Sequence, residues 1–413
     1  MSAVSPSLYE SIQLIKNGKS FPISGVDEKT RTVSFDYYES IFSPVVSANI
    51  SLLDTGRLSS RLPIEGNESV SFSIRSKLGV LDYTKTPLKL LGAPVGAKDP
   101  NREIVAMSLM SDMAIQNLKT TISDKYTGKI SDSVRKILKD HLGVPSEKLS
   151  NIDGTSNSYK FLGSSKDAFK IIIELCQKSI PYGSDDIPGY FFYENQRGIH
   201  FKSISKLISQ EPYPIPYVYN TLLKTDETHD YRILSYTASR NQTTLNALKS
   251  GVYCTRNIFF DPRKLEYKEL IFRITSEGNM QLGDKNIKKP NTLGKKVKVS
   301  DDFVKEDSDF TRTHFHILDV GMMDTKSTDV NNSAMEWQAY STARYNILFS
   351  KILNIVVPCN PNLLAGGLIN VLVKGDDEYD DIESGKYLIV NLCHHFDTTR
   401  SYTSLTLAKD MPG

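Results

Sequence analysis

No apolar run among the 413 residues approaches the roughly 18 that a membrane-crossing helix needs, so no membrane partner is expected through a helical anchor. The opening MSAVSPSLYE lacks both the basic start and the apolar stretch of a secretion signal, and synthesis is expected to end in a cytoplasm. Neither sign of charge is in excess. Fifty basic against 48 acidic residues leave a net +2, which gives no reason to expect sequence-specific nucleic-acid binding or an anionic surface as partner. Cysteine is scarce: Cys176, Cys254, Cys359 and Cys393 lie far apart in apolar contexts and read as reduced thiols, without the spacing of a disulfide framework or a zinc site. There is no Gly-x-Ser-x-Gly elbow, no phosphate-cradling Gly-x-x-x-x-Gly-Lys-Ser/Thr and no His-Glu-x-x-His.

What is present is strand chemistry at both ends. At the C-terminus, Ile352 to Val357, Leu368 to Val373, Tyr387 to Leu392 and the alternating Tyr402 to Leu407 predict four strands, with Phe396 to Ser401 as a polar connection. At the N-terminus, Thr32 to Asp36, Val45 to Leu53, Ser69 to Arg75 and Glu103 to Leu109 predict a small β unit. In SVSFSIR, Val70, Phe72 and Ile74 share one face, with serines opposite.

Between the ends the pattern turns helical. Ser131 is expected to cap a helix carrying Val134, Ile137, Leu138 and Leu142, closed by Gly143 and Pro145. A second helix is expected from Ser164 or Ser165, turning Phe169, Ile172, Ile173 and Cys176 inward. Tyr190 to Glu194 and Ile199 to Ser203 predict a hairpin across Asn195 to Gly198. Three further strands are expected at Asp230 to Ala238, Gly251 to Phe260 and Glu266 to Ile274, then a Lys-rich solvated loop over 277–309. A capping box at Ser333 and Glu336 starts the helix of Trp337, the only tryptophan. At about 100 to 200 residues per domain the chain should hold two to four. The fold class is α+β and multidomain: a β domain over 1–110, an α+β domain over 111–210, a second β domain from 211–255 and 335–413, and an inserted β-rich or loop domain over 256–334. Each β unit is expected to keep its own core and to present sheet edges that need covering.

Candidate chemical groups are few. His394 and His395 are adjacent in a strand, so their side chains point to opposite faces and one metal cannot easily take both. Asp376, Asp377, Asp380 and Asp381 lack the glycine and terminal glutamate of a calcium loop. His314 and His316 share a strand face, with no third ligand placed beside them. Glu194 and Glu211 are the carboxylates that a cell-wall hydrolase of the glycosidase type would need as an acid/base pair. None of these forms a convergent set, so no catalytic, cofactor-binding or metal residue is assigned and the chain is read as no enzyme.

Gly189 to Ser203 (GYFFYENQRGIHFKS), preceded by Ala168-Phe169-Lys170-Ile171, resembles the second domain of the central hub protein of contractile-tailed, T-even-like bacteriophage baseplates. The Trp337 helix, the turn Asn362-Leu363-Leu364-Ala365-Gly366-Gly367 and the strand Lys386 to Val390 are similar to that family too, and the order of units matches over most of the chain. The resemblance implies a structural protein of the virion tail baseplate, assembled in the host cytoplasm. It implies a homotrimer with two tube-forming β-barrel domains per chain, joining a sixfold tail tube or its initiator proteins to a trimeric central spike around the channel for DNA passage. Tape-measure and peripheral baseplate proteins are further implied partners. A hub of a contractile secretion or injection system shares the tube domains but usually continues into its spike, which this chain does not.

Overall fold

The computed structural model describes residues 5–410 apart from 25–29, 55–63, 67, 93–94, 100–101, 184–185, 220–228, 241–250, 252, 276–277, 285, 295–311, 320, 323–333, 375–378 and 381–382. The first strands are β1 (Leu8–Lys16), β2 (Lys19–Ser24), β3 (Thr30–Ser40), β4 (Ser47–Asp54), β5 (Ser69–Arg75), β6 (Val80–Asp82), β7 (Leu88–Leu90), β8 (Val95–Asp99) and β9 (Arg102–Met110). The middle holds α1 (Asp112–Lys119), β10 (Lys125–Tyr126), α2 (Ile130–Asp140), β11 (Phe161–Leu162), α3 (Ala168–Lys178), β12 (Tyr190–Asn195), β13 (Gly198–Ser203) and α4 (Ile204–Ile208). Then come β14 (Tyr217–Tyr219), β15 (Ser235–Arg240), β16 (Cys254–Asp261), β17 (Glu266–Ile274), β18 (Met280–Leu282), β19 (Asn286–Lys288) and β20 (Arg312–Ile317). The chain closes with α5 (Ala334–Leu348), β21 (Lys351–Pro358), β22 (Leu368–Val373), β23 (Gly385–Asp397) and β24 (Ser401–Lys409). The fold is α+β, multidomain and mostly antiparallel.

The two terminal β units are not separate. One sheet runs β15-β21-β24-β23-β3-β4-β9-β7-β5-β1-β2, and β3 pairs β23 across the seam between the ends of the chain. At the N-terminal end the strands curl so that β2 returns against β3. Alternation explains which face is dry: Ile12 and Leu14 of β1 face Phe72 and Val70 of β5, with Phe35, Ile50, Met107 and Leu405 buried among them. Phe35 spans the seam, with its ring 4.7 Å from Phe72 and 6.2 Å from Phe396. The expectation of a core for each β unit therefore gives way to one continuous core, because the paired edges bring two apolar faces onto the same side.

A second core holds α2, α3 and the β12–β13 hairpin. Here the local signals need correction. Ser131 lies inside α2, and its backbone N–H is satisfied by the Thr155 hydroxyl at 3.0 Å. α3 starts later than expected, because Ser164 and Ser165 take left-handed backbone angles (φ 52° and 55°). Asp167 caps it through the Lys170 N–H. Its buried face is Ala168, Ile171, Ile172 and Leu175, while Ile173 is exposed. Only the end of the expected strand Asp230 to Ala238 is one, since residues 229–231 form a short 3-10 turn before β15.

The third core joins β16 to β18 with α5: Phe259, Phe272, Met280 and Leu282 pack with Trp337 and Tyr340. The Lys-rich segment is thus not all solvated loop, since Met280 and Leu282 alternate inward from β18 against β17. Ser333 and the rest of that segment from 295 lie outside the described residues. At the C-terminal end of the chain Asp410 is fully buried, accepts from the Leu293 N–H at 3.1 Å and lies beside the buried Arg344 of α5.

One carboxylate ties these parts together. Glu39, at the end of β3, accepts from the Tyr37 hydroxyl (2.8 Å), from the Gln196 N–H at the hairpin tip (2.7 Å) and from the Ala365 N–H (2.8 Å). The Tyr83 hydroxyl, 2.6 Å from that of Tyr37, extends the network. Asn195 Nδ2 donates to the Ala365 carbonyl at 3.1 Å, and Gln196 Nε2 to the Val80 carbonyl at 3.2 Å. Gly366, at φ +81°, is pressed against the Tyr193 hydroxyl, so no side chain fits there. Complete burial pushes Glu39 up to about 7 against the pull of its three donors, and Glu194 adds like-charge repulsion.

Two outcomes follow for stability. Phe35→Ala should cost about 3–5 kcal/mol and lower the urea midpoint of both β units together; a variant in which one unit melts alone would contradict the shared core. Glu39 has a folded pKa near 7 against an ordinary 4.5, so its contribution is complete below the lower value and is lost as pH rises through the higher. Stability should fall by on the order of 3 kcal/mol across that window from this group. In Glu39→Gln the fall should shrink by this group's share, whatever its absolute stability, as read from urea midpoints at pH 5 and pH 8, with buried Asp410, also raised, to about 6, still contributing.

Candidate functional site

The hairpin that Glu39 clasps also forms one wall of a cleft of about 520 Å³. The other walls come from the start of α1, the loop between β6 and β7, and the turn after α2. That turn is forced by Gly143, at φ 64°, and is held by the Val144 N–H bonding the Leu138 carbonyl at 3.0 Å. Leu88, Leu142 and Val144 are buried apolar walls.

Glu194 of β12 lines this cleft. Its Oε2 accepts from the Val46 N–H at 3.2 Å, and the Ser111 side chain lies near the same carboxyl. Burial raises its pKa, only partly offset by Ser111, the Val46 N–H and Lys148. Ser111 is the N-cap residue of α1, but its side chain makes no cap hydrogen bond, and its Oγ is buried without a hydrogen-bond partner. Glu211 is exposed and does not line the cleft. The acid/base pair expected of a hydrolase is therefore not brought together there, and the carboxylates that share the cleft with Glu194 are the exposed Asp112 and Glu147.

The histidines are placed by strand alternation. His394 faces the core, bonds the Thr403 hydroxyl at 2.8 Å and stacks on Tyr37, and burial pushes its pKa down to about 4. His395 points the other way, pairing with Asp36 and lying 3.6 Å from Asp397. His314 and His316 are 6.0 Å apart ring to ring; Nε2 of His316 bonds Asn257 at 2.9 Å, and burial lowers the pKa of both. Asp376, Asp377 and Asp381 lie outside the described residues, and Asp380 Oδ1 accepts from the Glu383 N–H. Among the described residues no three His, Cys, Asp or Glu side chains converge as metal ligands. The four cysteines are free, and burial raises Cys359 and Cys393 to about 12. Sequence reasoning missed Glu39 and Ser111. For Glu39 a signal existed: Phe35, Tyr37 and Glu39 alternate, so an extended β3 turns all three inward.

No protein-family model matches the chain, and no curated protein matches its sequence. Solved structures do match its fold. A tail protein from Neisseria meningitidis MC58 superposes with a TM-score of 0.53 at 10% identity, over 97% of this chain and 96% of that one. The 43 kDa tail protein of prophage MuSo2 from Shewanella oneidensis gives 0.51 at 9% identity, over 98% and 100%. At such identity the likeness is one of fold: this chain has, end to end, the fold of these two tail proteins.

Proposed function

We propose that this chain is a structural protein of a phage tail baseplate, its central hub. The observation that supports the proposal is the end-to-end coverage: the fold likeness extends over 96% or more of this chain and of both tail proteins. The two β units, over 1–110 and over 211–255 with 335–413, are the tube-forming domains, with 111–210 and 256–334 as the α+β and inserted domains. Three copies close into a ring that presents six such units to a sixfold tail tube or its initiator proteins, and seats the trimeric central spike on its other side. The channel passes DNA, and the protein resides in the virion after assembly in the host cytoplasm.

The physical support for a closed ring lies in the sheet edges. Among the described residues β15 pairs only β21, and Ser235, Thr237, Ala238 and Ser239 are exposed along it. A long sheet that ends in an open strand is a pairing hazard unless something covers it. Heterologous contacts around a threefold axis cover every such edge at once. Interfaces of that obligate kind bury on the order of 2,000 Å² or more per pair.

Three copies of the 46.3 kDa chain make a species of about 139 kDa. Light scattering at micromolar concentration should find it, in the presence of spike or tube protein if the free ring dissociates. A cryo-electron microscopy map of the assembled complex is the decisive measurement. One β unit per subunit facing the tube, or a symmetry other than threefold, would sink the hub reading.

A further inference from the structure

The cleft beside the hairpin has a charge balance that its own residues do not complete. Its rim carries Asp112 and Glu147 against Lys148 and Arg197, all four exposed, so their charges offset one another and are screened. Glu194 is different. Its hydrogen-bond donor, the Val46 N–H, is neutral, and among the described residues no cation lies within ion-pair distance of it. Lys148 acts on it only from farther away. A carboxylate withdrawn from water without a counter-charge is unfavourable unless a cation arrives.

A second polar atom stands beside it. Ser111 is 7% exposed, and its Oγ has no hydrogen-bond partner. An ammonium group has three donors to give, and a guanidinium has five. Next to these two acceptors the walls are apolar, from Leu88, Leu142 and Val144. An acidic floor under apolar walls fits a cation on an aliphatic stem, which can lay its methylenes along the walls while its head reaches the carboxylate. The volume of about 520 Å³ lies within the range of small-ligand sites, roughly 300–1,000 Å³.

We infer that this cleft is a binding site for an organic cation, a primary ammonium or guanidinium on an aliphatic stem, with Glu194 as its counter-ion and Ser111 as a second acceptor. The chemistry is that of a lysine or arginine side chain offered by a protein, or of a free alkylamine. The site stands whether or not the chain is a baseplate hub, since it rests on the cleft alone. Because burial raises the pKa of Glu194, the cation should bind more tightly as pH rises and the carboxyl ionises.

The test is an NMR titration of the full-length, isotope-labelled chain, following the backbone amides of Val46, Ser111 and Gln196. The probes are n-butylammonium chloride, Nα-acetyl-lysine methylamide and, as a control of like size and opposite charge, sodium butyrate. Both cations should give saturable shifts and compete with each other, binding should strengthen with pH, and butyrate should move nothing. Glu194→Gln should weaken both cations at least tenfold, whereas Lys148→Met should leave them equal or tighter. Tighter binding of the lysine derivative than of butylammonium supports the site with a protein side chain as its natural occupant; the reverse order supports it with a free amine. Absence of saturable shifts with either cation overturns the inference, as do equal shifts with butyrate, a test that needs no variant to fold.

Discussion

The arrangement depends on a carboxylate that has been taken out of water. Glu39 sits where β3, the tip of the β12–β13 hairpin and the turn before β22 come together, and each of the three supplies it with one donor. Losing any one donor would leave a buried acceptor short, at roughly 1–3 kcal/mol, more for a charged group. The three segments are therefore positioned jointly. That is why the hairpin, whose apolar residues belong to the core of the α+β unit, nevertheless keeps a fixed register against the large sheet. Asn195 repeats the logic on the next residue, donating to Ala365 and accepting from the Arg197 N–H at 2.9 Å.

Two acids meet the hairpin in different ways, Glu39 of β3 at its tip and Glu194 on its first strand. Glu39 is surrounded by donors that come from the protein's own joints, and its burial serves to hold them. Glu194 has one neutral backbone donor, from Val46, and lines a cleft. Its charge raises the cost of ionising Glu39, whose three donors come from the structure itself. The seam between β3 and β23 shows a milder version of the pattern. On the dry side Tyr37 stacks on His394, while on the wet side His395 pairs with Asp36 and Ser40 bonds Asn391 at 2.5 Å. Both sides of the seam are thereby occupied, the inner by packing and the outer by polar pairs.

Legibility in the sequence followed the strength of local patterns. β5, β17 and β22 begin and end where alternation and turn residues place them, because one apolar face and a nearby Gly, Pro or Asn decide the matter locally. β1, β2 and the short β6 to β8 were not anticipated, since LYESIQLIK mixes charged and apolar residues and only the pairing of Ile12 and Leu14 with β5 makes it a strand. Ile173 looked like core and is exposed, because it lies about 100° round the helix from Ile172, beyond the buried face of Ala168, Ile171, Ile172, Leu175 and Cys176. The merging of two β units into one sheet was beyond any local signal. It rests on residues some 350 positions apart, such as Phe35 opposite Phe396.

That distinction bears on how a fold can persist at 10% identity with another protein. Alternating apolar faces and turn positions tolerate wholesale replacement, since any β-branched or aromatic residue of similar volume keeps a strand's inner face dry. Buried polar contacts such as those of Glu39 tolerate it far less, because their donors and acceptors must match in number and direction. The shared fold is therefore carried by the replaceable part of the sequence, and whatever sets this chain apart from other proteins of the same shape must reside in its unreplaceable part. In the described structure the hairpin tip belongs to that part, because there Glu39 joins β3, the hairpin and the turn before β22.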